Sequence, residues 1–447
     1  MIIIKENRML LKKVFVTVFF SLLLLKQLVA QTTFSSVEEI WSYADAHNIT
    51  IRNAAYELEK ANAGRKQSYM AFLPQVGASA SITDNINLQT TLLPSIIIDR
   101  NATVGQVTAV QFGQKYIYQA GATAQLDVLN LQTWFNIQVA RETEALSMAS
   151  LDNTRKTIYR QLAAQYYSYL LMKEAEQLAR RSMSITDSVY LSVQHKYEEG
   201  LVNESNVDLA KINRSRAEQA LTNATYQAAT ALNNLKGLLN FGITESVSLS
   251  GDLNMKISAD ENMSFTEDPS VKQAYYQAKV ALGRYKVSNA AYIPLVSIAY
   301  SNTTQRNDNS FEPFGGNVPW YPASFLSFRA SWNLFAGGTR WLQARQNKIG
   351  WYESKLQYDN AQKQSAINDD NLRLAYRRTQ ALAAQGYNIM ALSLDNYRHI
   401  SERYDAGIAT LDDRLNAFAD YINYQNQYLN SLSDALVQVY VLRIRQR

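Results

Sequence analysis

The stretch MAFLPQVGASASIT, Met70–Thr83, decides how this chain is interpreted. Before Pro74 the pattern suits a helix, and after it apolar residues alternate strictly with small or polar ones. A period of two predicts a strand with one apolar face. Proline suits the junction because it cannot continue a helix interior but is tolerated at the first residue of a strand. The apolar positions are Val76, Ala78, Ala80 and Ile82.

The same arrangement returns in the second half of the chain, in IPLVSIAYSNT, Ile293–Thr303. Here the helical pattern stops at Pro294, and Val296, Ile298 and Tyr300 alternate with small or polar residues. Two junctions of this kind, one in each half, indicate an internal duplication. We expect a first repeat over residues 31–240 and a second over 270–447, joined by an irregular linker at 241–269.

Each half also supplies a second alternating segment. In the first half Ala120, Ala122, Ala124 and Leu126 form one face, and in the second half Leu326, Phe328 and Ala330 do so. A strand of a soluble sandwich can alternate in the same way. We predict strands at about 75–88, 116–130, 294–304 and 324–335, with residues 85–115 as a long loop.

The N-terminus has the pattern of a secretory signal peptide. Lys5, Arg8, Lys12 and Lys13 precede the short apolar run Val14–Leu25, and a small residue, Ala30, marks the expected cleavage site. Removing residues 1–30 lowers the formal net charge from +5 to +1, because they hold five of the basic residues and one Glu. The basic character belongs largely to the targeting segment, so we expect no nucleic-acid partner.

Residue types that carry chemistry are sparse. The chain has no cysteine and three histidines, each on a predicted helix without a second ligand at metal spacing. It contains no phosphate-binding glycine loop and no nucleophile–base arrangement. We therefore predict no enzyme activity, no cofactor and no metal site.

Long helical segments make up most of the remainder. The first is predicted at 36–72, where Ser36 and Glu39 have the spacing of a capping box. Others are predicted at about 132–198, 204–240, 270–291, 339–404 and 409–445. The segment 132–198 would be about 100 Å long as one helix, which suggests coiled-coil packing. The clearest heptad lies in the last helix, at Leu411, Leu415, Phe418, Ile422, Gln425, Leu429, Leu432, Leu436 and Val439.

Four strands do not close a barrel, because membrane barrels begin at eight strands and an open sheet leaves two unpaired edges. Several copies together could close one, with the apolar faces toward lipid. The lipid-facing candidates are Val76, Ala78, Ala80, Ile82, Ala120, Ala122, Ala124, Leu126, Val296, Ile298, Leu326, Phe328 and Ala330.

The chain resembles the TolC family of outer-membrane efflux proteins. The resemblance rests on the opening SVEEIWSYADAHNITIR, the two helix–Pro–strand junctions, and the paired turns YEEGLVNESNVDLAKI and YDAGIATLDDRLNAF. It implies a mainly α fold with a small membrane β-barrel: a homotrimer with a 12-stranded barrel, four strands from each protomer, continued by a periplasmic α-barrel. It also implies a place in the outer membrane, a periplasmic adaptor (membrane fusion protein) and an inner-membrane pump as partners.

In that family the two turns form the closed periplasmic tip, where aspartates narrow the pore. The resemblance points to Gly200, Ser205, Asn206, Gly407, Thr410, Asp413 and Asn416 as tip or gate candidates. Asp413 falls on an aspartate position of the family, whereas Asn206 and Asn416 replace aspartate. One acidic ring would weaken a cation-binding constriction. Thr410 with Asp413, and Ser205 with Asp208, also have capping-box spacing, so they could simply start helices.

The leading function is therefore an exit duct for substrates driven by a pump elsewhere. Two alternatives stay open: a periplasmic coiled-coil scaffold whose strands form an ordinary sandwich, and a stand-alone diffusion porin. If the protein is an exit duct, Pro74 and Pro294 mark the level at which the chain enters the lipid.

Overall fold

The structure is a computed structural model that describes residues 32–253, 264–315 and 317–446. The predicted signal peptide lies outside these residues. The chain divides into two compact units. One comprises residues 1–58, 147–273 and 359–447, and the other comprises residues 59–146 and 274–358. Each unit thus takes segments from both halves of the sequence, whereas the predicted repeats follow one another along the chain.

Seven α-helices are found in the described part of the chain. They are α1 Val37–His47, α2 Ile49–Met70, α3 Leu131–Glu198, α4 Glu204–Leu239, α5 Pro269–Ala290, α6 Thr339–Asp405 and α7 Leu411–Gln446. Eight strands accompany them. They are β1 Thr32–Phe34, β2 Gln75–Asp84, β3 Thr90–Pro94, β4 Val107–Gln111, β5 Tyr116–Leu129, β6 Val247–Leu249, β7 Leu295–Asp308 and β8 Tyr321–Ser331.

The single helix predicted at 36–72 is wrong, because Asn48 separates α1 from α2. Asn48 has an extended backbone, with φ −67° and ψ 123°, and its N–H closes α1 by donating to the Ala44 carbonyl. Its side-chain oxygen accepts from the Ile51 N–H at 3.1 Å, which caps α2. Its amide nitrogen donates to the Leu238 carbonyl at 2.7 Å. A hydrogen bond to a residue 190 positions away in sequence therefore stabilises the interruption between α1 and α2.

The main sheet lies in the second unit and has the order β2-β5-β7-β8, with every neighbouring pair antiparallel. Paired residues of adjacent strands lie on the same face. Ala78 is opposite Ala122, which is opposite Asn302. Likewise Leu126 is opposite Ile298, which is opposite Phe328. The strands at the two edges of this sheet, β2 and β8, each pair on one side only among the described residues.

The loop predicted at 85–115 is also wrong in part, because it contains a two-stranded antiparallel hairpin, β3 with β4. A short 3₁₀ turn, Ser95–Ile97, follows Pro94. The Ser95 hydroxyl lies 2.7 Å from that of Thr108 across the hairpin. Each strand has five residues, too few for a clear alternation in the sequence.

The linker predicted to be irregular at 241–269 contains a strand as well. β6 pairs in parallel with β1, with Thr32 opposite Val247 and Phe34 opposite Leu249. Residues 254–263 of this linker lie outside the described residues. The pairing joins segments more than 200 positions apart, which periodicity along the chain does not reveal.

The core of the first unit is built by α1, α3, α4 and α7. Val37, Leu162, Leu235 and Val439 are completely buried there. The heptad predicted in α7 is largely buried, with Leu411, Leu415, Phe418, Leu429, Leu432, Leu436 and Val439 in the interior. Burying such side chains stabilises the fold by about 1.5–3 kcal/mol each.

The two proline junctions share one geometry. After α2, the Phe72 and Leu73 N–H groups donate to the carbonyls three residues earlier, at 3.2 and 3.0 Å. After α5, the Tyr292 and Ile293 N–H groups do the same, at 3.1 Å each. Each helix therefore ends in a tightened last turn, and the next strand begins directly after the proline.

Candidate functional site: the interhelical turns and the strand face

The first unit contains two turns of nearly identical backbone geometry. Gly200 ends α3 with φ +75°, and Gly407 ends α6 with φ +76°. In the first turn the Leu201 N–H donates to the Lys196 carbonyl at 2.8 Å, and in the second the Ile408 N–H donates to the Arg403 carbonyl at 2.8 Å. The two glycine N–H groups donate to the carbonyls three residues earlier. This is a Schellman motif, which favours glycine because other residues are strained at positive φ.

The helix that follows each turn is capped three residues after the glycine. Thr410 caps α7: its hydroxyl accepts from the Asp413 N–H at 3.1 Å, and the Asp413 carboxylate accepts from the Thr410 N–H at 2.9 Å. The predicted capping box is therefore present. In the first turn the cap is Asn203, whose side chain accepts from the Asn206 N–H at 3.1 Å. Ser205 instead lies inside α4, so its predicted role as a cap is wrong.

The capping residue Asn203 was missed because the Ser205–Asp208 spacing also fits a capping box. Asparagine is as good an N-cap as serine, and Asn203 stands at the same distance from its glycine as Thr410 does. Comparing the two turns position by position would have identified it.

Asp413 uses only one of its carboxylate oxygens for the cap. Oδ2 accepts from both the hydroxyl and the N–H of Thr410, at 2.6 and 2.9 Å. Within the described residues Oδ1 accepts no hydrogen bond, and the side chain is exposed. The hydrogen bond from the Thr410 hydroxyl, and then that from its N–H, lowers the pKa of Asp413, so the group is anionic at neutral pH.

Asn206 and Asn416 take different positions around the turns. Asn206 is half-buried in the first turn of α4, and Asn416 is exposed one turn beyond Asp412. The Asn416 amide donates to the Asp412 carboxylate at 3.1 Å. Both asparagines are neutral, so Asp412 and Asp413 carry the negative charge at the start of α7.

Segments of four helices meet beside these turns. Val189 and Val193 of α3, Ala210 of α4, and Leu411 and Leu415 of α7 form one buried apolar cluster. Tyr404 of α6 packs against it. An apolar contact beside the turns thus joins the pair α3 and α4 to the pair α6 and α7.

Cations from two helices contact the end of a third helix in the same region. The Lys196 ammonium lies 4.8 Å from the centre of the Tyr404 ring, and the Arg414 guanidinium lies 5.2 Å from it. Arg414 also pairs with Asp405 at 3.7 Å. These contacts link α3 and α7 to the end of α6, and exposed cation–π pairs of this kind contribute about 0.5–1 kcal/mol each.

An apolar side chain projects into solvent from the same position of each turn. Leu201 and Ile408, the residues after the two glycines, are each 68% exposed. Their equivalence follows from the matching backbone geometry of the two Schellman motifs. Paired exposed apolar residues at the tips of turns are suited to contact with another protein.

In the second unit the register brings the predicted lipid-facing residues of all four strands onto one face. Val76 is opposite Ala124, Ala80 is opposite Ala120, and Val296 is opposite Ala330. Many of these side chains are exposed, and Val76 and Phe328 are among the most exposed apolar residues of the sheet. The opposite face carries mostly small and polar residues, of which Ser297 and Ser301 are buried, but it also carries Phe325 and Tyr321 of β8.

The apolar character of this face does not extend over its whole length. In β7 the residues after Tyr300 on the same face are Asn302, Thr304 and Arg306. Arg306 is 3% exposed, donates to the carbonyls of Glu312 and Gly315, and lies 4.3 Å from the Tyr118 ring centre. The loop after β7 therefore covers this charge, a feature that alternation alone does not predict.

Comparison with known families gives one similarity, which lies largely in the first half of the chain. The model of the family "outer membrane efflux protein" matches residues 41–240. These residues make up somewhat less than half of the 447-residue chain, and over them the chain is similar to that family. The match includes the first junction, β2, β5 and the turn at Gly200, whereas the second junction, β7, β8 and the turn at Gly407 lie outside it.

Solved structures of outer membrane proteins share the fold of this chain. VceC from Vibrio cholerae is 16% identical with a TM-score of 0.71, and the alignment covers 92% of this chain and 96% of VceC. The CmeC outer membrane channel of Campylobacter jejuni is 16% identical with a TM-score of 0.72, over 92% and 85% of the two chains. The MtrE outer membrane channel of Neisseria gonorrhoeae, in its open state, is 17% identical with a TM-score of 0.69, over 92% and 88%. A comparison with curated proteins gave no match.

In residues 32–253, 264–315 and 317–446, none of the helices has the length and apolar character needed to cross a membrane. The same residues bring together no group of three or more His, Asp or Glu side chains that could hold a metal ion.

Proposed function

We propose that the protein is the outer-membrane exit duct of a multicomponent efflux or secretion system. The observation that carries the proposal is the sheet β2-β5-β7-β8, which combines one face that is apolar and exposed over part of its length with two edge strands that each pair on one side only among the described residues. In water both features favour aggregation. In a bilayer, closure with further copies satisfies the edges and the lipid covers the apolar face.

Closure by three copies agrees with the strand order. Because neighbouring strands alternate in direction, β8 of one protomer can pair antiparallel with β2 of the next. Three protomers then form a barrel of 12 strands, an even number as in other closed outer-membrane barrels. The strands have 10, 14, 14 and 11 residues, which meets the length of about 9–11 residues that a tilted strand needs to cross the bilayer. Pro74 and Pro294 then mark the periplasmic side of the membrane.

The two turns would form the periplasmic entrance of this duct. A ring of Asp413 carboxylates, one from each protomer, would attract cations and narrow the pore, while Oδ2 continues to cap α7. Opening would require the segments of α6 and α7 to move relative to α3 and α4. The contact of Tyr404 on α6 with Lys196 on α3 would resist that movement.

A periplasmic adaptor would dock on the same turns. Leu201 and Ile408 give each protomer two exposed apolar anchors with the same backbone geometry, so a trimer would present six. The adaptor would connect the duct to an inner-membrane pump, which supplies the energy for transport.

Electron microscopy of the detergent-solubilised protein, combined with recordings in planar bilayers, tests this function. We expect particles of three subunits with a barrel and a helical tube, and small conductance without an adaptor. A monomeric protein recovered from the soluble periplasm would refute the duct and favour the coiled-coil scaffold. A large conductance in the absence of other proteins would favour a diffusion porin.

A further inference from the structure

The first unit contains a polar cavity of about 480 Å³ that the exit-duct function does not use. Its wall consists of side chains from α3, the start of α5, α6 and α7. Three charged residues of the wall are central to the inference: Lys156, Arg160 and Asp369. The remaining wall is rich in amides, which donate hydrogen bonds without adding charge.

The two carboxylates at this cavity already have partners. Asp268 accepts from the Lys156 ammonium through Oδ2 and from the Ser270 N–H and hydroxyl through Oδ1, at 2.9 and 2.8 Å. Asp369 receives both of its hydrogen bonds from Arg445, at 2.6 and 2.8 Å, in a bidentate pair. Arg445 is 3% exposed, and its third contact goes to the Thr266 carbonyl. These pairs leave no carboxylate for a third cation.

That third cation is Arg160. Among the described residues its guanidinium forms no ion pair, and its Nε is buried without a hydrogen-bond partner. It lies on the same face of α3 as Lys156, one turn away, and both line the cavity. Burial lowers the pKa of Lys156, and Arg160 lowers it further, so the two positive charges act on each other. An arginine stays protonated at neutral pH even when burial lowers its pKa.

The cavity is therefore lined by two cations, Lys156 and Arg160, and by two carboxylates, of which Asp268 pairs with Lys156 and Asp369 pairs with Arg445 behind the wall. A half-buried charge without an ion-pair partner is costly, and a guanidinium presents a fork of donors that fits planar or tetrahedral oxyanions. We propose that this cavity is a binding site for a small oxyanion, phosphate or a low-molecular-weight carboxylate, which Arg160 holds.

The bound anion would lie between α3 and α6, because Arg160 and Thr157 come from one helix and Asn368 and Asn371 from the other. It would add hydrogen bonds between helices that otherwise meet here through Asp268, Asp369 and Arg445. We therefore expect the anion to stabilise the first unit. This proposal does not depend on the exit-duct function, since the site lies entirely within one unit of one protomer.

Thermal unfolding of the purified full-length protein in detergent provides the test. Inorganic phosphate is titrated against chloride at constant ionic strength, and the apparent midpoint is followed. A ligand that binds only the folded state raises the midpoint in a saturable way. We expect this rise in the wild type, and a loss of affinity of about tenfold or more in Arg160→Gln, as for a lost hydrogen bond to a charged group.

The matched control is Arg180→Gln. Arg180 lies on the same helix α3, is exposed, and pairs with Glu176 at 2.6 Å four residues away. This variant should respond to phosphate as the wild type does. Arg160→Lys, which keeps the charge but not the fork, should bind with intermediate affinity, and it replaces Arg160→Gln if that variant does not fold. Acetate in place of phosphate shows whether a carboxylate suffices.

Two results would overturn the proposal. One is a wild-type midpoint that does not change with either anion at constant ionic strength, as expected if a carboxylate of a neighbouring copy already fills the site. The other is an equal response of Arg160→Gln and Arg180→Gln. Both results would leave the exit-duct function unaffected, because that is tested by particle shape and conductance.

Discussion

The orientation of the sheet in the membrane can be tested by replacing Ala122 with arginine. Ala122 lies in the middle of the 14-residue strand β5, between Ala78 of β2 and Asn302 of β7. Its side chain lies on the proposed lipid face. Thr123, the next residue, lies on the opposite face and is equally exposed. Thr123→Arg is therefore a matched control in the same strand and at nearly the same depth.

The expected magnitude follows from the depth of Ala122. A strand of 14 residues is about 46 Å long, and at a tilt of about 40° it rises by about 35 Å, which covers the hydrocarbon core. Ala122 is the seventh residue of β5 and so lies near the midplane. An arginine facing lipid at the midplane costs about 2–4 kcal/mol, or about 6–12 kcal/mol for a trimer with three copies. An arginine facing the water-filled interior avoids this cost.

Two measurements test this expectation. Fractionation of cells shows how much of each variant reaches the outer membrane as a trimer, and urea unfolding in lipid vesicles gives the loss of stability. We expect Ala122→Arg to abolish or strongly reduce assembly and Thr123→Arg to assemble nearly as the wild type does. Equal assembly of both variants, or a larger defect in Thr123→Arg, would refute the proposed orientation of the sheet.

Three further predictions concern the turns and the buried charges. Gly407→Ala should destabilise the protein by about 1–2 kcal/mol in urea unfolding, because alanine is strained at the observed φ of +76° although the surrounding space is open. Asp413→Asn should raise the conductance of the closed channel in planar bilayers, because it removes the proposed ring of carboxylates. Asp268→Asn should cost about 2 kcal/mol at pH 7 because it leaves Lys156 unpaired. Burial alone would raise the pKa of Asp268, but hydrogen bonds from Lys156 and Ser270 outweigh it and lower the pKa from 3.8 to about 2. The wild type should therefore lose the stability that the ionised Asp268 contributes as the pH falls from about 4 to about 2. Asp268→Asn should show no such loss. Urea unfolding at several pH values measures the difference.

Controls separate these effects from general damage. Gly350→Ala lies inside α6 with open space around it, and it should stabilise the helix by about 0.5–1 kcal/mol, opposite in sign to Gly407→Ala. If both substitutions stabilised the protein, or both destabilised it, the argument from the positive φ of Gly407 would be contradicted. For the gate, unchanged conductance and unchanged cation block in Asp413→Asn would mean that this carboxylate only caps α7. A parallel acid-induced loss in the wild type and in Asp268→Asn would show that other carboxylates control acid unfolding.

Local patterns predicted the elements that depend on local interactions. The alternation after Pro74 and Pro294 and the heptad of α7 give strands and a helix near the expected positions. Apolar periodicity follows from burial on one face of a regular element, so it can be read without knowing the partner. The capping box of Thr410 and Asp413 is local in the same sense, because its two residues lie within one turn.

Predictions failed where a distant contact decides the structure. Asn48 divides a helical pattern because its amide is held by the Leu238 carbonyl. The pairing of β1 with β6 joins the beginning of the described chain to the linker between the repeats. The hairpin of β3 and β4 depends on two short strands finding each other across a long connection.

The sequence by itself determined the types of element, the duplicated junctions and the apolar set of each strand, because each depends on neighbours along the chain. Only the tertiary structure decided how these elements combine. The register of four strands placed the apolar sets on one face, and loop carbonyls covered Arg306 on that face. The packing of α3 against α6 and α7 assigned Asp268 to Lys156 and Asp369 to Arg445, which left Arg160 without a carboxylate. Charge pairing of this kind depends on distances between segments that are remote in sequence, and no periodicity records those distances.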